Sequence, residues 1–251
     1  MRGEQRRSEL RVFGFNACLA VYTRRPAAIR KVYLLESRMP ALREVLRHCA
    51  QARIGYRIVG DEDLHKLTGS QHHEGVCFEV IRPTPPGVAT LLGRLGQRPA
   101  QLVFLDGVGN PHNLGAVLRS AAHFGVDAAL LAGDAGLALS GAACRVAEGG
   151  AEVVPLIGID VADWQQLHDA GFVAAATVVR DGQSLHSTGL PPRIVWLIGA
   201  EGAGVSASRL GSAGLRLMIP GTGSVESLNV ASATAILLGE HARQHGVQRH
   251  A

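Results

Sequence analysis

The sequence predicts an α/β protein in which a domain with a mostly parallel sheet follows a smaller α/β domain. From Gln101 onward, short apolar runs alternate with helical segments, the pattern of parallel strands joined by crossover helices. The first of these runs, Leu102–Leu105, is continuously apolar, as in a strand buried on both faces. A proline-rich stretch divides the chain, so we expect domains at 1–82 and 100–251 and a linker at 83–99.

In the N-terminal domain, apolar spacing predicts helices and strands in alternation, as in a small α/β sandwich. Val12–Tyr22 and Pro40–Ala50 have the spacing of amphipathic helices. Asp61–Leu67 predicts a short third helix, with Asp61 or Asp63 as its N-cap. The predicted strands are Lys31–Leu35, Tyr56–Val59 and Gly75–Ile81.

Apolar spacing predicts one short helix in the linker, Val88–Leu95. In the C-terminal domain it predicts strands and helices in regular alternation. The strands are short apolar runs: Leu102–Leu105, Ala128–Leu131, Glu152–Leu156, Val173–Val178, Ile194–Ile198 and Leu215–Ile219. The helices follow the period of an amphipathic helix: Ala116–Phe124, Ala142–Ala147, Ala162–Ala170 and Asn229–Glu240.

Composition argues against a membrane protein, a secreted protein and a metalloprotein. No apolar run reaches the roughly 20 residues that a membrane helix needs, and Asn16 and flanking charges interrupt the apolar part of the N-terminus, unlike a signal peptide. We therefore expect a cytoplasmic protein. The four cysteines are scattered, without a CxxC pair or a Cys/His cluster, so we expect free thiols and no metal.

The positive charge is concentrated in the N-terminal third. Residues 1–82 hold 15 Lys or Arg and 9 Asp or Glu, a balance of +6, which leaves 10 and 12 in the remainder, a balance of −2. Most of these cations are arginines, whose planar forks suit phosphate. The asymmetry indicates nucleic-acid binding, although arginines that only solvate helix faces would give the same balance.

Three polar loops follow predicted strands of the C-terminal domain: Asn110–Gly115, Gly199–Gly204 and Pro220–Asn229. The C-terminal ends of parallel strands lie at one edge of a sheet, so these loops can converge into a ligand site there. The glycines at Gly199–Gly204 also leave a dinucleotide-binding oxidoreductase open as an alternative. Against that alternative, the sequence lacks the complete G-x-G-x-x-G fingerprint at the first strand-to-helix turn, and the acidic residue expected at the next strand is not evident. Phosphate-loop and G-x-S-x-G motifs do not occur.

The residues of these loops resemble a known family. The motif N-x-G-x-x-x-R at Asn113–Arg119, IGAEGAGVS at Ile198–Ser206 and IPGTGSVESLNVASATAILLGE at Ile219–Glu240 resemble the three ordered motifs of the SpoU/TrmH class of RNA ribose 2′-O-methyltransferases, in the SPOUT superfamily. The N-terminal domain resembles the family's substrate-binding domain, a relative of RNA-binding ribosomal proteins. AEGGAEVVP at Ala147–Pro155 is similar to a subgroup described only as tRNA/rRNA methyltransferases.

The resemblance implies a C-terminal domain folded as a deep trefoil knot, a rare exception to unknotted connectivity. It further implies rRNA or tRNA as substrate, S-adenosyl-L-methionine as cofactor, and a homodimer formed through the C-terminal domain, with the active site near the interface. The implied cofactor-binding residues lie at strand ends and in the loops: Thr177, Ile198, Gly199, Ala200, Gly202, Ile219, Pro220, Leu228 and Asn229.

The catalytic residues that the resemblance implies are Asn113, Arg119, Glu201, Ser227 and Asn229. Methyl transfer requires alignment of the ribose O2′ with the methyl carbon and removal of the hydroxyl proton. Arg119 matches the family's proposed proton acceptor, but a guanidinium stays protonated near pH 7. A phosphate oxygen or a water is therefore an alternative acceptor, with Arg119 stabilising the alkoxide.

The remaining implied roles are orientation of Arg119 and the substrate by Asn113 and Glu201, and a polar pair beside the cofactor formed by Ser227 and Asn229. Each residue also has a structural alternative. Asn113, Ser227 or Asn229 could cap a helix, Arg119 could be a surface residue and Glu201 could lie in a solvated turn. The joint presence of the three loops favours the functional interpretation.

Two glutamates depart from the family's pattern. Glu148 stands where the family often has Ser, and Glu74 stands near a position that is often Gln. Glu74 in an RNA-facing loop would repel phosphate. His112 and His123 have no place in the pattern, and we interpret them as incidental. A catalytically inactive RNA-binding paralogue that acts in ribosome assembly remains the alternative function.

Overall fold

The computed structural model describes residues 9–133, 135, 138–200, 202 and 204–247. Its N-terminal part is a four-stranded sheet with helices on both faces. The strands, in the spatial order β1-β4-β2-β3, are β1 (Glu9–Phe13), β2 (Ile29–Leu34), β3 (Gly55–Ile58) and β4 (Val76–Ile81). The helices are α1 (Phe15–Arg24), α2 (Arg43–Ala52) and α3 (Asp61–Thr68).

Successive side chains of β2 point to opposite faces of the sheet, and each face is covered by its own layer of helices. Val32 and Leu34 are fully buried with residues of α1 and α2, whereas Tyr33 packs on the opposite face with Leu64 of α3. Strand residues two apart share a face. The predicted α/β sandwich therefore has two helices on one side of its sheet and one helix on the other.

A helix, α4 (Val88–Leu95), leads into a sheet of seven parallel strands. In the spatial order β7-β6-β5-β10-β8-β11-β9, the sheet contains β5 (Ala100–Asp106), β6 (Ala128–Ala132), β7 (Leu156–Ile159), β8 (Val173–Thr177), β9 (Gln183–Ser184), β10 (Arg193–Gly199) and β11 (Leu215–Met218). Its helices are α5 (Pro111–His123), α6 (Gly141–Ala147), α7 (Val161–Asp169), α8 (Ala207–Gly211) and α9 (Val230–His245).

The central strand β5 is buried on both faces, as its apolar run predicts. Val103 and Leu105 pack with α5 and α9 on one face, while Leu102 and Phe104 pack with α4 and α7 on the other. All four side chains are at most 2% exposed. Helices thus cover the centre of the parallel sheet on both sides.

The position of β11 is unusual, because it lies between β8 and β9, which follow each other in the chain. Leu217 is in register with Thr177 of β8 on one side and with Gln183 of β9 on the other. The short connection between β8 and β9 must therefore cross β11. A Cβ on Gly182 in this connection would lie 3.0 Å from the backbone carbon of Leu217, so the crossing is close.

The two sheets are joined by a tight contact between α6 and β1. A Cβ on Gly141 would lie 2.3 Å from the carbonyl oxygen of Arg11, so only glycine permits this approach. Beside it, Arg25 at the end of α1 binds Glu152 through two hydrogen bonds, with 2.8 Å between Nη2 and Oε1. Glu152 is 4% exposed, which makes this a largely buried ion pair.

The predicted helix Val12–Tyr22 is wrong in its first turn. Val12 belongs to β1 and pairs with Phe78 of β4, and the helix begins only after Gly14, which has a φ of 94°. The five-residue strand β1 could not be distinguished from α1 in the sequence, because the end of the strand and the start of the helix are both apolar. The predicted N-caps Asp61 and Asp63 are also wrong, since Gly60 occupies the N-cap position without a side-chain hydrogen bond.

The predicted strand Glu152–Leu156 is wrong as well. Gly150–Glu152 forms a 3-10 turn, and β7 begins at Leu156. Glu152 is held by Arg25 instead of lying in a sheet. The short elements β9 and α8 were not predicted, because two and five residues are too few to establish a period.

The four cysteines are free and buried, as predicted. Burial raises the pKa of Cys77 and of Cys144 to about 12, so neither thiol ionises near neutral pH. Within the described ranges, no cluster of three His, Cys, Asp or Glu side chains is arranged to hold a metal ion. No helix in the same ranges has both the length and the apolar character needed to cross a membrane.

Candidate functional site

The three loops predicted to converge follow β5, β10 and β11, and their strands run parallel in one sheet. Gly199 at the end of β10 is in register with Asp106 at the end of β5. The segment Pro220–Asn229 begins just beyond β11, two strands away, and leads into α9. The loops therefore emerge at the same edge, where α/β sheets bind their ligands.

The loop after β10 folds back on itself over Gly199. A Cβ on Gly199 would lie 2.0 Å from the carbonyl carbon of Gly204, so this position admits no side chain. The turn is closed by a hydrogen bond of 2.8 Å from the backbone N–H of Gly204 to the carbonyl of Ala200. Gly202 and Gly204 both have positive φ values, 80° and 66°. The result is a compact backbone loop suited to close approach by a ligand.

Asp106 lies at the same sheet edge and was not among the residues predicted from the sequence. Its Oδ2 accepts a hydrogen bond of 2.8 Å from the backbone N–H of Ser206, which ties the loop after β10 to the end of β5. A carboxylate at the end of a parallel strand is a common signal for this edge of a sheet. In this sequence, the signal lay just ahead of the Asn110–Gly115 motif.

Asn229 is the N-cap of α9 and also contacts α5. Its Oδ1 accepts hydrogen bonds from the backbone N–H groups of Ala231, at 2.9 Å, and Ser232, at 3.4 Å. Its Nδ2 donates to Oδ1 of Asn113 at 3.3 Å. The predicted cap at Ser227 or Asn229 is therefore Asn229, and the cap does not exclude a role in the site. Asn113 is not a cap, because Asn110 caps α5 by accepting from the N–H of His112.

The other predicted cofactor residues lie around this edge. Ile198 is buried near the end of β10, while Gly199, Ala200 and Ile219 are partly exposed. Thr177 ends β8 and is partly exposed as well. The whole segment 220–229 is exposed, including Pro220, Ser227 and Leu228, and Leu228 is 45% exposed. An exposed Leu in a loop at this edge offers apolar surface to a ligand.

The structure does not place Arg119 on the face of α5 that carries Asn113. Six residues separate them, about 9 Å along the helix axis and about 240° around it. Arg119 instead lines an open groove of about 510 Å³ between α5, α1 and the segment Ala147–Val153. Within the described part of the chain, its guanidinium forms no hydrogen bond or ion pair.

Glu201, a further predicted catalytic residue, lies outside the described residues. The two glutamates that depart from the family's pattern are both engaged. Glu74 accepts a hydrogen bond of 2.9 Å from the backbone N–H of Phe15 at the start of α1, where a helix favours negative charge. Glu148 accepts one from the side chain of Asn16. The carboxylate of Glu74 is thus directed at a helix and not simply displayed to RNA.

Comparisons with known proteins cover nearly the whole chain. The model of the SpoU rRNA Methylase family matches residues 100–239, and that of RNA 2′-O ribose methyltransferase substrate binding matches residues 11–86. The chain is 39% identical over 243 residues to "Uncharacterized tRNA/rRNA methyltransferase YfiF" of Escherichia coli O157:H7, covering 96% of this chain and 70% of that one. It is 32% identical over 237 residues to the 23S rRNA (guanosine-2′-O-)-methyltransferase RlmB of Nitrosomonas europaea, covering 93% and 91%.

Solved structures share the fold. The SpoU methyltransferase AviRb of Streptomyces viridochromogenes, in complex with AdoMet, superposes with a TM-score of 0.77 at 24% identity, covering 96% of this chain and 91% of that one. An AdoMet-bound rRNA methyltransferase of Sinorhizobium meliloti also gives 0.77, at 22% identity and coverage of 96% and 90%. The resemblance seen in the three motifs is confirmed, and the chain belongs to the SpoU rRNA Methylase family.

Proposed function

We propose that this protein transfers a methyl group from S-adenosyl-L-methionine to a ribose 2′-hydroxyl of rRNA or tRNA. The observation that carries the proposal is the contact of Asn113 with Asn229 at the sheet edge where the Gly199 loop also emerges. The predicted activity and cofactor agree with the comparisons, since relatives are named 23S rRNA (guanosine-2′-O-)-methyltransferases and similar structures hold AdoMet.

The backbone around Gly199 fits the proposed cofactor. The turn from Gly199 to Gly204 leaves no room for a Cβ at its start, and it presents backbone groups where a nucleoside can be bound without side-chain contacts. Ile219 and Leu228 supply apolar surface on the opposite loop. When bound, S-adenosyl-L-methionine supplies an electrophilic methyl group on a sulfonium.

The polar residues would act on the ribose. The Asn113–Asn229 pair orients the hydroxyl through amide hydrogen bonds, with Ser227 nearby in sequence on the same exposed loop. Arg119 holds a phosphate and stabilises the developing alkoxide as a fixed cation. The proton leaves to a phosphate oxygen or a water, because a guanidinium has no free lone pair to accept it. Glu201 is proposed to orient the arginine.

We also propose that the C-terminal domain is a trefoil knot. Support comes from the insertion of β11 between the consecutive strands β8 and β9, which requires the 178–182 connection to cross it. The segment following β11 then leads to α9, whose residues His241 and Gln244 contact the chain between β9 and β10 at Pro191 and Leu190. A strand, loop and helix that pass through an earlier connection are what such a knot needs.

A homodimer is the third part of the proposal. Arg119 and Asn113 lie on different faces of α5, so one chain alone does not bring Arg119 to the contact between Asn113 and Asn229. A second copy can complete the site if the interface lies near the sheet edge. Val225 and Leu228 are 70% and 45% exposed in that region, and apolar surface of this kind suits an interface.

The division into domains at 1–82 and 100–251, with a linker at 83–99, assigns RNA capture to the N-terminal part. The charge balance of +6 over residues 1–82 supports this assignment, because phosphate neutralisation dominates RNA affinity. A cytoplasmic location follows from the proposed substrates, rRNA and tRNA.

Binding and transfer measured on one variant test the proposal. We expect Arg119→Ala to bind S-adenosyl-L-methionine as tightly as the unaltered protein in calorimetry, and to transfer methyl groups to RNA about 100-fold more slowly, since loss of one electrostatic stabiliser costs roughly that factor. Unchanged transfer would contradict the role of Arg119. Binding of NADPH without binding of S-adenosyl-L-methionine would favour an oxidoreductase, and cofactor binding without transfer to any RNA would favour the inactive paralogue.

A further inference from the structure

The groove that contains Arg119 is built from one face of α1 and one face of α5. From α1 come Asn16, Ala20 and Arg24, spaced four residues apart, and from α5 come Arg119, Ala122 and His123. Side chains at these spacings share a helix face. The groove therefore lies where the segment matched to substrate binding, residues 11–86, meets the methyltransferase segment, residues 100–239.

The floor of the groove is made by backbone at Gly149 and Gly150. A Cβ on Gly150 would lie 2.6 Å from the carbonyl oxygen of Leu118, and one on Gly149 would lie 3.0 Å from the Cβ of Ala20. The two helices are thus held close to the same short segment. The nearby Arg25–Glu152 ion pair fixes the end of α1 against that segment. The groove is consequently a fixed feature between the two parts of the chain.

Its charged side chains are available to a ligand. Arg24 and Arg119 are exposed, and neither guanidinium forms a hydrogen bond or an ion pair with any residue in the described ranges. The carboxylate of Glu148 is occupied by the side chain of Asn16. Two free arginine forks, with the imidazole of His123 beside them, suit phosphate oxygens. A volume of about 510 Å³ is within the range of small-molecule sites.

We infer that this groove binds the ribose-phosphate backbone of the RNA next to the methylated nucleotide, with Arg24 and Arg119 on its phosphates. The inference rests on the proposed function and adds Arg24, from the N-terminal part, to the residues that bind substrate. Arg24 also lies in the last turn of α1, where a cation stabilises a helix end. A purely structural role would therefore lower stability and leave RNA affinity unchanged.

The test compares Arg24→Gln with Arg94→Gln. Arg94 is an exposed arginine in the last turn of α4, outside the groove, so its replacement removes the same charge from an equivalent helix position. Affinity for a mixed-sequence 20-nucleotide single-stranded RNA is measured by fluorescence anisotropy between 50 and 200 mM salt. Methyl transfer by the unaltered protein to total rRNA and tRNA is measured in parallel.

We expect Arg24→Gln to weaken binding about tenfold at low salt, because a charged hydrogen bond is lost, and to reduce the slope of log affinity against log salt by about 0.7. Arg94→Gln should change neither appreciably. If both variants bind alike while the unaltered protein methylates RNA, the groove assignment is overturned and the proposed function stands. If the unaltered protein methylates no RNA, the proposed function itself fails.

Discussion

Asn229 at the start of α9 donates a hydrogen bond of 3.3 Å from its Nδ2 to Oδ1 of Asn113 in α5, 116 residues earlier in the chain. The same side chain caps α9 through its Oδ1. One residue therefore fixes the start of a helix and joins two of the three loops of the candidate site.

These two functions of Asn229 can be separated by Asn229→Asp. Aspartate caps helices as well as asparagine does, so we expect the thermal midpoint to stay within a few degrees. The carboxylate has no N–H to donate to Asn113, so methyl transfer should fall by up to roughly tenfold, the net value of one hydrogen bond. Unchanged stability together with unchanged transfer in Asn229→Asp would show that Asn229 is only a cap. Asn229→Ala should lose both.

Gly199→Ala should abolish cofactor binding. Its Cβ would meet the carbonyl carbon of Gly204 at 2.0 Å, so the loop after β10 must open. The matched control is Gly211→Ala in α8, where an added Cβ meets no atom of the described residues within 4 Å. Calorimetric titration with S-adenosyl-L-methionine should give no measurable binding for the first variant and normal binding for the second. Normal binding by Gly199→Ala would contradict a role of the backbone from Gly199 to Gly204 in cofactor binding.

Glu152→Gln should destabilise the fold strongly. It removes the partner of Arg25, and breaking a buried ion pair costs about 3 kcal/mol. Glu44→Gln is the control, because Glu44 and Arg47 form an exposed pair on α2, where such pairs contribute less than about 1 kcal/mol. Urea unfolding measures both free energies. Equal effects would mean that the Arg25–Glu152 pair contributes little to joining the two sheets.

His241 should make stability depend on pH. Burial, and then the nearby His245, lower the pKa of His241 from 6.5 to about 4. Between these two pH values His241 is therefore protonated in the unfolded chain and neutral in the folded chain. The contribution of His241 to stability is fully present above about pH 6.5 and is lost as the pH falls toward 4. The loss is about 1 to 3 kcal/mol, allowing for partial solvation.

The control for this pH dependence is His241→Phe, which cannot titrate. Glu240 stays charged throughout the same window, because hydrogen bonds from Arg243 and Gln244 lower its pKa to about 2. We therefore expect the variant's unfolding free energy to vary less between pH 6.5 and 4. An identical pH profile would assign the effect to other groups.

Most of the parallel sheet could be predicted, because apolar strands buried on both faces stand out from polar loops. Leu102–Leu105 and Ile194–Ile198 lie within β5 and β10 as observed. The strand β1 could not be separated from α1, since Val12 and Phe13 continue the apolar run of the helix. The predicted strand at Glu152 failed because its ion pair with Arg25, distant in sequence, decides the local structure.

Only part of the candidate site could be predicted, because some of its contacts join residues that are distant in sequence. The loops at Asn113, Gly199 and Asn229 carry dense polar and glycine motifs, so their meeting at one edge could be anticipated. The groove around Arg119 could not, because Arg24 reaches it only through the packing of α1 on the second domain. Asp106 stands at a strand end, but its contact could not be predicted, because its partner is the backbone N–H of Ser206, 100 residues later in the chain.

The most direct test of the account is to map ribose methylation in total RNA. RNA lacking the modification is incubated with the protein and S-adenosyl-L-methionine, and 2′-O-methyl nucleotides are located by mass spectrometry of nuclease fragments. We predict new methylation at a ribose 2′-oxygen of rRNA or tRNA, and about 100-fold slower incorporation at the same position with Arg119→Ala. Methyl groups on bases alone, or no incorporation into any RNA while the cofactor binds, would contradict the account.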